Sequence, residues 1–146
     1  MGYIIPQRTK PETDEGYFEQ LSKAVFQAGF SFKVVEQKWP DIRGVFENFD
    51  FNKLALWGEE KISTVVQNPQ IIRNIKKIRA IVYNARIFME LITEYGNFEN
   101  FLESIRSKPY KEVSSLIAKK FKWLGRTGAY VFLWCVNENV PEWVER

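Results

Sequence analysis

The sequence predicts an all-α fold, a compact multi-helix domain, and three observations carry that prediction. Apolar residues recur three and four positions apart along almost the whole chain. Alternation with a period of two is sustained nowhere. Gly, Pro and short polar capping residues interrupt the pattern at close intervals, which sets the lengths of the helices.

The first helix is expected from Asp14, a capping residue, with a buried stripe of Phe18, Leu21, Val25 and Ala28, and Gly29 supplies the left-handed residue that stops it. Ser31 caps a second, short helix through Val34 and Val35. This helix should end near Trp39, because Pro40 cannot continue it but suits the first turn of a following helix whose Phe46 faces the core. Asp50 and Gly58 bracket another short segment, and Glu59 to Gln67 reads as a helix presenting Ile62, Val65 and Val66.

Asn68-Pro69 is a cap followed by proline at a first helical position. It is expected to open the central helix, with Ile71, Ile72, Ile75, Ile78, Val82, Ala85, Met89 and Ile92 on its stripe up to Gly96. Asn97 and Ser114 are expected to begin two more helices, and a last apolar helix follows from Ala129 to about Val136. No internal repeat, linker or low-complexity tract divides the chain, so residues 1–146 read as one domain with the first dozen residues loose.

Composition narrows the chemistry before any motif does. The chain has 146 residues, 45% of them hydrophobic, enough for a core without a metal or disulfide staple. It has one cysteine, Cys135, and no histidine, which excludes an internal disulfide, a zinc site of the usual kind and every Cys-His or Ser-His nucleophile. Acid-base work is left to carboxylates, Lys, Tyr or ordered water. No cofactor is implied. No apolar run reaches the roughly 18 residues of a membrane span, and residues 1–10 lack a signal-peptide core, so a cytoplasmic location and no membrane partner are expected. The net charge of +3 is too small to identify a partner.

Near the C-terminus, Ile117 to Val136 reads as an amphipathic helix, a turn Leu124-Gly125-Arg126-Thr127-Gly128, then an apolar helix. This is a helix-hairpin-helix pattern. Glycines let the backbone approach a phosphate, and the free N–H groups and positive dipole end of the second helix attract it. Arg126 and Thr127 lie where a phosphate would sit, and Lys119, Lys120 and Lys122 precede the turn. The same residues also suit an ordinary connection, with Gly125 as a C-cap and the lysines as a solvated face.

Three further blocks, Pro11-Glu12-Thr13-Asp14, Phe26-Gln27-Ala28-Gly29-Phe30-Ser31-Phe32 and Phe46 through Phe49-Asp50, resemble the N-terminal half of type I DNA-3-methyladenine glycosylases, members of the helix-hairpin-helix glycosylase superfamily. Ile71-Ile72-Arg73-Asn74 with Lys77-Ile78 and Asn84-Ala85 is similar to that family's mid-chain signature, and order and spacing are kept from about residue 11 to residue 136. The glycine turn falls where the family places its hairpin, which favours the phosphate-binding reading of Lys122, Gly125, Arg126, Thr127 and Gly128.

The resemblance implies hydrolysis of the N-glycosidic bond of an alkylated purine flipped out of double-stranded DNA, by a protein expected to be a monomer. Gln27 would read a base edge, with Phe32 and Trp39 stacking on a cationic purine, an interaction of roughly 0.5 to 2 kcal/mol. The departures are informative. The family's zinc ligands near both chain ends have no counterparts, its base-contacting glutamate is Ala24 here, and its tryptophan after the Gln-Ala-Gly block is Phe32. The superfamily's catalytic aspartate corresponds to Pro141, which leaves Glu142, one position later, as the weak carboxylate candidate. A duplex- or lesion-binding protein that has lost its chemistry is the alternative reading.

Overall fold

The computed structural model describes residues 6–146, and these form eight α-helices with no strand among the described residues. In chain order they are α1 (Asp14–Gln27), α2 (Phe32–Val45), α3 (Phe51–Leu54), α4 (Glu59–Val65), α5 (Ile75–Tyr95), α6 (Phe98–Ile105), α7 (Tyr110–Lys120) and α8 (Arg126–Cys135). Helix α5 is the longest and packs against α1, α3, α4 and α6, while α8 is clasped between α1 and α7. The all-α expectation holds, and the differences lie at helix ends.

Helix α1 is capped by Thr13, whose hydroxyl accepts from Gly16 N at 3.0 Å, rather than by Asp14. Asp14 is spent elsewhere: its carboxylate accepts from Phe98 N at 2.8 Å and ties α1 to the first turn of α6. Helix α2 keeps its Ser31 cap but runs through Pro40 to Val45. Proline deletes one backbone bond on the exposed side of the helix, at a cost of about 3 kcal/mol. Val35, Trp39, Ile42 and Phe46 are all buried along the opposite stripe, and burial of about 1.5 to 3 kcal/mol per large side chain outweighs that loss.

The central helix begins at Ile75 and not at Pro69. Asn68 folds its side chain onto Gln70 N at 2.8 Å in a local turn, and Asn74 is the cap, accepting from Lys77 N at 3.1 Å. Ile71 and Ile72 are buried in the connection all the same, whereas Met89 is exposed. Helix α7 starts after Pro109, which leaves Ser114 buried inside it, and α8 starts at Arg126, three residues before Ala129.

The expected looseness of residues 1–12 falls partly on residues 1–5, which lie outside the described residues. Residues 6–12 carry no helix yet are tied to α8. Arg8 Nε donates to Trp134 O at 2.9 Å with its guanidinium 4.4 Å from the Trp134 ring. Trp134 Nε1 donates to Pro6 O at 2.9 Å, and Thr9 N donates to Cys135 O at 3.0 Å.

Candidate base pocket and nucleic-acid interface

Two segments carry the candidate residues, and α5 holds both. The first is the end of α1 with the turn into α2. Lys77, on α5, has its ammonium buried beneath that turn, where Nζ donates to Phe26 O at 2.9 Å and Ala28 O at 2.7 Å. Those carbonyls flank Gln27 and lack helical partners, so a cation is a natural cap. Burial alone pushes the Lys77 pKa below the ordinary lysine value.

Gln27 is buried at the last position of α1, and Gly29, at φ 67°, turns the chain towards Ser31. That turn leaves Phe30 prominent, 45% exposed, at its outer corner. Phe32 opens α2 half-buried against the core.

The structure does not bring Trp39 to the surface beside Phe32. The indole is 7% exposed and lies stacked on Phe49 at 5.1 Å, its Nε1 donating to Glu19 Oε2 at 2.9 Å. The Lys23 ammonium sits 5.3 Å from the ring centroid. Phe49 reaches this position through a left-handed run, Glu47 to Phe49, each with φ between 53° and 57°. Trp39 therefore serves as a buried wall behind α1. Ala24 is likewise buried, at 3% exposure, and offers no polar atom where the resembling family has a carboxylate.

The second segment is the turn between α7 and α8. Asn84, on α5 and 1% exposed, grips its backbone on both sides: Lys122 N donates to Asn84 Oδ1 at 2.8 Å and Asn84 Nδ2 donates to Lys122 O at 3.1 Å. Lys77 and Asn84 are seven residues apart, two helical turns or about 10 Å along one face of α5. That face is a ruler fixing the Gln27 corner relative to the glycine turn.

Around the turn, Lys122 lays its ammonium 4.2 Å from the Tyr83 ring, and Trp123, at φ 59°, is 43% exposed. Gly125 is the N-cap of α8 and makes no side-chain cap, so the first-turn N–H groups of Arg126, Thr127 and Gly128 lack the partner a serine or aspartate cap would provide. Gly128 lies close beneath Leu124, where an added Cβ would meet Leu124 Cδ1 at 3.0 Å.

Other ionisable groups are poor candidates for chemistry. Burial pushes the Cys135 thiol up to about 11, so it stays protonated at neutral pH. Glu142 is exposed on the segment that leaves α8, where Tyr130 Oη anchors the neighbouring Pro141 O at 2.7 Å. No group of three metal-ligating side chains occurs among the described residues.

Sequence reasoning gives Lys77, Asn84, Phe30 and Trp123 no role. The signal for the first two was present: a lysine and an asparagine seven apart, in register with Ile78, Ile81 and Ala85 on an apolar face, have to be satisfied from another element. Nothing in the sequence marks the exposure of Phe30 and Trp123.

Comparison with known proteins agrees with this architecture. The methyladenine glycosylase family model matches residues 8–120, ending just before the glycine turn. The chain is 32% identical over 144 residues to the DNA-3-methyladenine glycosylase of Haemophilus influenzae, spanning 85% of this chain and 78% of that protein. It is 31% identical over 153 residues to DNA-3-methyladenine glycosylase 1 of Escherichia coli, spanning 89% and 82%. A crystal structure of 3-methyladenine DNA glycosylase I superposes with a TM-score of 0.78 at 26% identity, covering 88% of this chain and 81% of that one. The Staphylococcus aureus enzyme, at 23% identity and a TM-score of 0.79 over 88% and 78%, shares the fold. The chain belongs to the methyladenine glycosylase family.

Proposed function

We propose that the protein is a base-excision repair N-glycosylase that removes alkylated purines of the 3-methyladenine type from double-stranded DNA, acting as a cytoplasmic monomer without a cofactor. The observation that carries this reading is the double attachment to α5. Lys77 fixes the Gln27 corner and Asn84 fixes the glycine turn, so the segment that would meet the base and the turn that would meet a phosphate are both tied to one helix.

In this reading the backbone of Gly125 to Gly128 and the side chains of Lys122, Arg126 and Thr127 hold a DNA phosphate, and the target nucleotide rotates out of the stack towards the α1–α2 corner. Gln27 contacts the edge of the base, Phe32 stacks on its face, and Trp39 backs the wall. An N3-methylated adenine is cationic, so its glycosidic bond is already weak and no strong general acid is required. Extrusion, a fitted recess and a positioned water supply the rest.

The buried Ala24 favours one alternative, a protein that binds the duplex or the lesion without chemistry. The two readings separate in a single-turnover assay on methylated duplex DNA scored by release of free 3-methyladenine. Release establishes the glycosylase, and duplex binding without release establishes the alternative.

A further inference from the structure

A groove of about 600 Å³ opens beside the start of α8, between α7 and residues 144–146 of the C-terminal arm. Four cationic side chains line it, Lys111, Lys119, Arg126 and Arg146, against one side-chain carboxylate, Glu145. Among the described residues none of the four takes part in an ion pair, although five other cations of the chain do. Like charges that outnumber the carboxylates beside them repel one another, and an anion from outside relieves that repulsion.

Arg146 is held in position. Its Nε donates to Thr127 Oγ1 at 3.0 Å, its Nη1 donates to Trp143 O at 2.9 Å, and the guanidinium lies 4.0 Å from the Trp143 ring. Its Nη2 takes no part in these bonds. Tyr130 Oη anchors the same arm at Pro141 O. Ser114, a polar residue 5% exposed, also lines the groove. The groove lined by residues 10–15, Tyr17, Asn97 and Glu99 has the opposite character, with four carboxylates and one lysine.

We propose that the α7–arm groove, which shares Gly125 and Arg126 with the glycine turn, extends the DNA-backbone site there and takes the phosphates next along the strand. The arm then extends the footprint of the protein on the duplex, and Arg146 links the groove to the turn because it shares Thr127 with the turn. This inference rests on the DNA-glycosylase reading.

The test is duplex binding, followed by fluorescence anisotropy over a range of salt concentrations. Removing a single phosphate-neutralising cation lowers the steepness of the fall of log K with log salt by about 0.9. Lys111→Ala and Arg146→Ala are each expected to lower it by that amount, and Ser114→Ala to weaken binding severalfold with the charge unchanged. Lys10→Ala, which removes one charge from the acidic groove, is expected to leave the slope as it is. Wild-type binding with the slope and affinity unaltered in all three groove variants overturns the groove and spares the glycosylase reading. An equal reduction in Lys10→Ala overturns it too, since net charge would then explain the result. Absence of duplex binding by the wild type overturns both.

Discussion

Lys77 Nζ lies 2.7 Å from Ala28 O and donates to it, so a buried lysine of α5 caps the end of α1. The carbonyl of Phe26 shares the same ammonium, and Gln27 is trapped between the two. Lys77→Met keeps the apolar stem and removes both hydrogen bonds. Bonds to a charged donor contribute roughly 1.5 to 3 kcal/mol each, part of which offsets the desolvation of the ammonium. A net loss of about 1 to 3 kcal/mol is expected in denaturant unfolding, with excision of 3-methyladenine impaired more than duplex binding. Unchanged excision in a folded variant would separate the cap from the pocket.

The glycine turn tests whether the second attachment to α5 matters for DNA. Asn84→Ala frees Lys122 N and O together, and it is expected to weaken duplex binding with α-helical circular dichroism retained. Gly125→Val probes the opposite side of the turn. Nothing lies within 4 Å of a Cβ built there and its φ of -76° suits any residue, so stability should fall by at most about 1 kcal/mol. A phosphate brought against the Gly125 backbone would collide with the new side chain. Full binding by Gly125→Val would make the turn a simple connector.

A polar cluster around Glu99 contributes a pH-dependent part of the stability. Glu99 accepts from Tyr17 Oη at 2.7 Å and from Arg106 Nη2 at 2.8 Å, and it pairs with Lys10 at 3.2 Å. Burial pushes its carboxyl up, but the hydrogen bonds from Tyr17, Arg106 and Lys10 outweigh that and hold it below the usual glutamate value. A carboxyl with a depressed folded-state pKa contributes stability that is present above the unfolded value, near 4.5, and lost as pH falls through the folded one. The melting-temperature gap between wild type and Glu99→Gln should therefore be widest at neutral pH and shrink below about 4.5. A gap independent of pH would mean the cluster acts through shape and not charge.

Residues 6–9 are tied to α8 by hydrogen bonds with Trp134 and Cys135. Chelator is expected to leave the melting temperature unchanged, and elemental analysis to find no stoichiometric zinc, because one cysteine and no histidine cannot build such a site. Arg8→Ala removes the hydrogen bond to Trp134 O and the stacking on its ring, and about 1 to 2 kcal/mol of stability should go with them. About one zinc per chain would refute this account of the ends.

The helical period made the fold class legible, and Ser31, Asp50 and Asn97 mark helix starts as their side-chain chemistry demands. Pro40 and Asn68 misled for a common reason. Local preferences are worth about 1 to 3 kcal/mol, and at both places tertiary burial or a competing cap a few residues away outweighed them. The site was only half legible. Gln27 and the glycine turn stand out as residue types, whereas Trp39 disappears into the core because Phe49 and Glu19, distant in sequence, take its face and its N–H. The groove at the arm was invisible, since it joins Lys111 to Arg146 across the whole of α8.

Catalysis follows from the leaving group. With Ala24 buried where the resembling family carries a glutamate, and Glu142 exposed on the arm, the proposed base contacts Gln27 and Phe32 include no carboxylate to protonate a departing base. Only lesions that leave without a proton should be released: slow excision of 3-methyladenine, some 7-methylguanine, and no uracil or hypoxanthine. Gln27→Ala and Phe32→Ala should reduce single-turnover excision about tenfold or more, equivalent to about 1.4 kcal/mol or more of transition-state stabilisation, and change duplex affinity far less, because both side chains meet the base only after it leaves the stack. Glu142→Gln should excise at the wild-type rate across neutral pH. Rapid release of a neutral base, or loss of activity in the Glu142 variant, would show that the arm swings a carboxylate into the pocket and that a proton donor takes part after all.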